Sequence, residues 1–483
     1  MAKPLKLDED RLFPAERRVR EIARALYAEV KDLPIISPHG HTDPAWFAGN
    51  EPFANATDLL LAPDHYLFRM LYSQGVPLER LGVPSRPNSS KTSPSAADPR
   101  EAWRILARNF YLFRGTPSSM WLNHVFTDVF GFDVRLDETT ADLYFDRIGE
   151  KLATDAFRPR ALFDRFRIEC LATTEGPSDT LEHHKTIRAS GWGGNVVTAY
   201  RPDAVIDAEH EDFSASMQRF GELSGENVYS WQGYLAAHRK RRAFFMQMGA
   251  TSSDHGHPNA ETLDLSPMAA EKLFSKVVSG AFAPVEAQEF RAQMLTEMAK
   301  MSLDDGLVMQ LHPGSFRNHN RWLHGEYGRD KGADIPTQTD YVRALKPFLD
   351  RFGNEKRLSL ILFTLDETAY ARELAPLAGH YPILKLGPAW WFHDSPEGMR
   401  RFREQTTETA GFYNTVGFND DTRAFLSIPA RHDMARRVDC GFLARLVAEH
   451  RMEEDEAHEV AMDLSHNLVK QAYKLDQSAA KAA

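Results

Sequence analysis

From residue 167 onward, short apolar runs alternate with longer helical stretches, and this alternation restricts the fold more than any other feature of the chain. The runs are 167–172, 195–199, 243–249, 307–312, 358–364, 381–386 and 415–419. The segments between them are long enough for crossover helices, most clearly at 203–242 and 266–305. Strands alternating with helices make a parallel sheet. One earlier run, Leu33 to Ile36, brings the count to eight. Eight parallel strands predict an α/β chain closed into a (β/α)8 TIM-type barrel rather than an open sheet. No G-x-G-x-x-G follows any run and no G-x-x-x-x-G-K-[ST] exists, so a dinucleotide or P-loop fold has little support.

The chain upstream of residue 167 reads differently. An opening helix is expected over 14–31, with Val19, Ile22, Ala23, Leu26, Tyr27 and Val30 on one apolar face. After the first strand, 50–165 reads as an aromatic-rich helical tract, with runs at 58–73, 99–113 and 118–130. It is expected to be a helical insertion between strands 1 and 2 of a single barrel domain spanning 1–483. The Pro/Ser-rich stretch 84–98 is expected to be a mobile loop.

Charge and cysteine usage narrow the function classes. The net charge is −10 over 483 residues, which argues against a nucleic-acid surface and an anionic membrane partner. Cys170 and Cys440 are far apart and lack C-x-x-C partners, so neither a disulfide framework nor a cysteine zinc site is expected. No apolar run approaches the ~20 residues of a membrane span, and the N-terminus has no apolar leader. A cytoplasmic homo-oligomer acting on a small molecule is expected.

In a barrel of this kind the chemistry sits at the C-terminal strand ends. The first strand runs into His39-Gly40-His41. Residues i and i+2 of an extended segment point to one side, so the two imidazoles converge and could chelate Zn²⁺, Mn²⁺ or Co²⁺. Later strand ends bring Thr173-Thr174-Glu175, Tyr200-Arg201-Pro202-Asp203, Ser252-Ser253-Asp254-His255, Gln310-Leu311-His312, Asp366-Glu367, Trp390-Trp391-Phe392 and Asn419-Asp420-Asp421-Thr422-Arg423. Loops are polar in any fold, but three histidines, a carboxylate and two arginines on separate strand ends exceed that expectation.

His-x-His on strand 1 with an aspartate after strand 8 resembles the amidohydrolase superfamily of metal-dependent barrels. Asp64-His65-Tyr66, Thr-Thr-Glu-Gly-Pro, Tyr-Arg-Pro-Asp, Ser-Asp-His-Gly, Met-Gln-Leu-His-Pro-Gly-Ser-Phe-Arg-Asn, Ala-Trp-Trp-Phe and Asp-Thr-Arg-Ala-Phe-Leu-Ser together resemble the uronate isomerase family, from about residue 10 to about 475. The resemblance implies interconversion of D-glucuronate with D-fructuronate, and of D-galacturonate with D-tagaturonate, assisted by one divalent ion, with Zn²⁺ favoured. This chain departs from the family wording at Gly40, where Cys is usual, at Glu175-Gly176, where Asp-Asp is usual, and at Pro313, where Ile is usual. None of these removes a ligand.

The resemblance aligns Asp421, rather than Asp420, as the third metal ligand beside His39 and His41. Arg201 and Arg423 suit bidentate binding of a substrate carboxylate. His312 is a candidate for substrate contact or proton transfer. His65 and Tyr66 lie on the insertion, where aromatic residues usually pack, and the resemblance alone makes them site residues. Trp390 or Trp391 could wall the sugar site, Asp254 could cap a helix or orient a neighbour, and residues 181–184 read as a solvated helix face. Either Asp421 or Tyr66 could be the base. The rival readings are a mononuclear hydrolase of the same superfamily and a non-catalytic sugar-acid binding barrel.

Overall fold

The structure is a computed structural model that describes residues 3–86 and 98–475. Most of the loop expected at 84–98 therefore falls outside the described residues. Among those described, seven strands form one parallel sheet: β1 (Ile35–Ser37), β2 (Ile168–Glu175), β3 (Val196–Tyr200), β4 (Ser252–His255), β5 (Val308–Leu311), β8 (Leu360–Leu362) and β9 (Leu384–Leu386). They lie in sequence order around a TIM-type barrel. The remaining two, β6 (Ser315–Phe316) and β7 (Ile335–Pro336), form a separate antiparallel pair beyond β5.

The eighth barrel position is occupied but irregular. Thr415 makes a single parallel bridge to Leu386, and Val416 N–H donates to Leu386 C=O at 3.1 Å. On the other side, His41 N–H donates to Thr422 C=O at 3.1 Å. The segment 415–422 thus joins β9 to the end of β1 without a full ladder.

Side chains alternate across the sheet and separate two cores. Ile36, Cys170, Ala172, Val197, Val308, Ile361 and Phe363 fill the barrel interior. Met309, Leu311, Leu360, Leu362, Leu384 and Leu386 face the surrounding helices. The buried Tyr473 takes part in the interior core, its hydroxyl donating to Gln310 Oε1 at 3.1 Å. The same parity carries β4 and β5 into the site: Val308, Gln310 and His312 face inward, as do Ser252 and Asp254.

Two expectations are corrected here. The run 243–249 belongs to no strand: most of it completes the helix Trp231–Gln247, whose Phe245 packs against Tyr200 and Ala250. The strand is the polar Ser252–His255, whose four residues are all buried. The 181–184 run is not a solvated face throughout. His184 is 1 % exposed and hydrogen-bonds the Thr173 hydroxyl at 2.9 Å, whereas His183 is exposed.

Between β1 and β2 the chain is helical, including Ala56–Leu60, His65–Ser73, Pro99–Arg108, Pro117–His124 and Ala141–Leu152. Their apolar faces share a core with Ile35, Ile168 and Val196 of the barrel. Asp64 caps His65–Ser73, its side chain accepting from Tyr66 N–H at 2.8 Å. This cap starts the helix over the barrel mouth, with His65 and Tyr66 in its first turn.

Candidate active site

A cavity of about 860 Å³ opens at the C-terminal strand ends. His39, His41, His65, Tyr66, Arg201, His312, Trp390, Asp421 and Arg423, all the site residues expected from the sequence, line it. At its floor, Oδ1 of Asp421 lies 3.5 Å from His39 Nε2 and 3.3 Å from His41 Nε2. That Oδ1 and His39 Nδ1 are both buried with no hydrogen-bond partner among the described residues. Burial holds His41 below its ordinary pKa despite the pull of Asp421, which keeps the ring neutral. Burial would raise the Asp421 carboxyl, but His39 and His41 outweigh it and hold the group well below the carboxylate range. Two imidazoles and an ionised carboxylate converging on one point fit a borderline divalent ion.

The choice between Asp420 and Asp421 is visible in the packing. Asp420 faces the core, accepting from Ser37 Oγ at 3.1 Å and from His432 Nε2 at 3.0 Å. Asp421 faces the cavity, with φ at +36°, in the left-handed region that bulky residues avoid. The Trp390 indole N–H donates to its Oδ2. Trp390 is 5 % exposed and has that single donor, so it orients Asp421 besides walling the cavity.

The two arginines differ. Arg201 Nε donates to Asp203 Oδ2 at 2.8 Å, and its Nη1 lies 3.0 Å from Asp254 Oδ2. Its Nη2 sits where a Cβ on Gly256 would come within 2.1 Å, a close approach that requires glycine there. Among the described residues Arg423 pairs only with Asp330, at 3.1 Å, and its side chain is 39 % exposed. Arg423 therefore has the freer fork.

His312 Nδ1 donates to Asp254 Oδ1 at 2.7 Å, leaving Nε2 buried and unpartnered. Its ring stacks on Phe363 and His39, with centroids 3.9 and 4.7 Å away. Asp254 thus orients a histidine rather than capping a helix. His65 stacks on Tyr66 at 4.6 Å, and burial, helped by Arg423, drops its pKa to about 3, so it is neutral. Burial raises the Tyr66 phenol well above its ordinary value, with Arg431 opposing, so it is protonated at neutral pH.

The partners Asp203 and Asp330 were not singled out by sequence reasoning. Asp203 closes the run Tyr-Arg-Pro-Asp; Asp330 sits in a loop with no pattern to mark it.

Glu175 lies at the end of β2 behind the cavity, 9 % exposed, and accepts from the Thr198 hydroxyl. Burial lifts its pKa from 4.5 to about 7, with Thr173 and Thr198 opposing. The fold therefore favours the protonated carboxyl. Its contribution to stability is complete below about pH 4.5 and is lost as pH rises through about 7. Melting curves from pH 4 to 8 should show wild type losing on the order of 3 kcal/mol relative to Glu175→Gln across that window. A constant difference between the two proteins would show that Glu175 titrates normally.

A parallel barrel with His-x-His at its first strand end and an aspartate at its eighth position defines the metal-dependent barrels of the amidohydrolase superfamily. The profile of the glucuronate isomerase family matches residues 16–473. A uronate isomerase of Phenylobacterium zucineum is 75 % identical, covering 99 % of both chains. One of Caulobacter vibrioides is 70 % identical over 99 % of this chain and 97 % of its own. The crystal structure of glucuronate isomerase from Caulobacter crescentus superposes with a TM-score of 0.96 at 70 % identity, covering 98 % of each chain. That of uronate isomerase from Thermotoga maritima gives 0.89 at 28 % identity, over 97 % of this chain and 99 % of the other. The chain belongs to the glucuronate isomerase family.

Proposed function

We infer that the chain interconverts D-glucuronate with D-fructuronate, and D-galacturonate with D-tagaturonate, as an aldose–ketose isomerase. The observation that carries this reading is the convergence of an ionised carboxylate, a proton donor, a buried histidine and a half-exposed arginine in one cavity, within a chain of this family. The substrate reacts as its open-chain aldehyde. Asp421, ionised and aimed into the cavity, takes the proton from C2; the C1–C2 double bond forms and the C1 carbonyl oxygen becomes the enediolate oxygen. Tyr66, protonated, faces the oxygens on which charge develops, while His312, whose Nδ1 donates to Asp254, presents Nε2 as an acceptor for a substrate hydroxyl. The proton returns to C1 while the C2 hydroxyl becomes the carbonyl, its proton passing to O1. Arg423 binds the C6 carboxylate, with Arg201 held beside it by Asp203 and Asp254.

A divalent ion held by His39, His41 and Asp421, with Zn²⁺ favoured over Mn²⁺ or Co²⁺, would supply positive charge to fix substrate oxygens. Purified wild type should carry such an ion, and His41→Ala should lose it, a fall of about one equivalent per chain by elemental analysis. Equal content in both would remove His41 from the ligand set.

The whole chain reads as one barrel domain with 50–165 as an insertion, because that tract shares a core with the barrel and supplies His65 and Tyr66 to the cavity. Cys170 and Cys440 are buried free thiols, the state expected of a reducing cytoplasm. Among the described residues no helix is long and apolar enough to cross a membrane. The activity is tested by incubating the protein with each hexuronate and following the ketose by NMR. No ketose from either, under conditions where the protein is folded and metal-loaded, would sink this reading.

A further inference from the structure

The chain contains a second His-Gly-His, His255-Gly256-His257, and it too stands at the end of a barrel strand. As with the first, an aspartate from another strand end faces it: Asp203, just beyond β3. One ligand atom from each of Asp203, His255 and His257 lies within 4.8 Å of the other two. We propose that these three residues form a second cation site, for a borderline divalent ion such as Zn²⁺, Co²⁺ or Mn²⁺.

The site is separate from the first by sheet parity. Asp254 faces into the barrel, where it holds His312, so His255 projects to the opposite, helix-facing side of β4. His255 shares that side with Ser253, whose hydroxyl and the His255 Nε2 are 3.2 Å apart. His255 is 0 % and His257 4 % exposed. Two of their nitrogens, His255 Nδ1 and His257 Nε2, are buried with no hydrogen-bond partner. A buried unpaired imidazole nitrogen costs about 1–3 kcal/mol, and a coordinated ion removes that cost.

Three further observations suit a cation. Burial depresses both rings, His255 to about 3 and His257 below its ordinary value, so both are in the neutral, ligating form. Asp203 stays ionised: burial would raise it, and the Arg201 guanidinium beside it more than offsets that. The surrounding charge also leaves room for a dication. Three guanidinium groups, Arg201, Arg291 and Arg317, meet five carboxylates, Asp203, Asp254, Asp207, Glu209 and Asp334, a balance of −2. Asp203 and Gly256 line the large cavity, which supplies a route from solvent. Because Asp203 also holds Arg201 Nε, an ion here would brace the arginine that faces the substrate.

The test is metal content per chain after equilibration with Zn²⁺ alone and removal of free metal, with folding checked by circular dichroism. Wild type should retain two equivalents. His257→Gln and His255→Asn should each lose one, and His41→Ala should keep the one that the two former variants lose. In the Co²⁺-loaded protein, the visible absorption of the second site should vanish in His257→Gln and persist in His41→Ala. Wild type retaining no metal, or a single equivalent that His257→Gln keeps, overturns the proposal. So does a His257→Gln protein that holds as much as wild type, or a His41→Ala protein that holds nothing. If the histidine variants at 255 and 257 fail to fold, wild type and His41→Ala decide alone. None of these readouts depends on isomerase activity, so the site and the proposed reaction fail independently.

Discussion

Asp421→Asn should lower kcat for D-glucuronate by about 10²–10⁴-fold while leaving the melting temperature near that of wild type. The amide is nearly the same size and its oxygen can still accept from the Trp390 indole, so the loop keeps its anchor. What it lacks is the negative charge and the lone pair that can take a proton from C2. The same substitution weakens the cradle with His39 and His41, so two causes must be separated. Assay under saturating Zn²⁺ does this: if activity returns to wild type when metal is replenished, Asp421 is a ligand and the base is another group. The pH profile gives a second check. His39 and His41 hold this carboxyl well below its usual range, so wild-type activity should not fall as pH drops through about 4 on account of Asp421. A single acid limb near 4 that disappears in the asparagine variant would show that the carboxyl titrates normally.

The barrel was legible because its strands are buried on both faces and read as apolar runs between amphipathic helices. The same rule misplaced the fourth strand. Ala243 to Gly249 is the last turn of a long helix and the turn after it, in which only Phe245 is buried, whereas Ser252–His255 is polar because its inward side chains bond those of β5. Ser252 and Gln310 form one such pair, Asp254 and His312 another. A strand made of buried polar residues carries no hydrophobic signal. The eighth run, 415–419, was found but not its irregularity, since a single bridge to Leu386 leaves nothing in the residue pattern.

Within the site, His-x-His was readable from period-two geometry, and the tie between Asp420 and Asp421 rested on resemblance until packing separated them. His184 shows the converse limit. It looked solvated because its neighbours on the helix, Glu182 and His183, are exposed, and only the position of Thr173 on β2 explains why it is buried. Pairings such as Arg201 with Asp254 cross many residues of sequence, and no local period reports them.

Those pairings also set the expectation for which arginine reads the substrate. Arg201 has Nε and Nη1 engaged by two carboxylates and Nη2 closed in over Gly256, whereas Arg423 has one partner and an open face toward the cavity. A charge-assisted hydrogen bond to a buried anion is worth roughly 1.5–3 kcal/mol. Arg423→Met should therefore lower kcat/KM for D-glucuronate by about 10–150-fold, at ~1.4 kcal/mol per factor of ten. Arg423→Lys keeps the charge but loses the planar fork and should fall between methionine and wild type. D-glucose, which has no carboxylate, supplies the control. Wild type should strongly prefer the uronate, and Arg423→Met should narrow the preference by lowering the uronate rate and leaving the glucose rate unchanged. A methionine variant with full uronate activity would transfer carboxylate recognition to Arg201, in spite of its two aspartate partners. A wild type that turns over glucose as fast as glucuronate would mean that neither arginine reads the carboxylate.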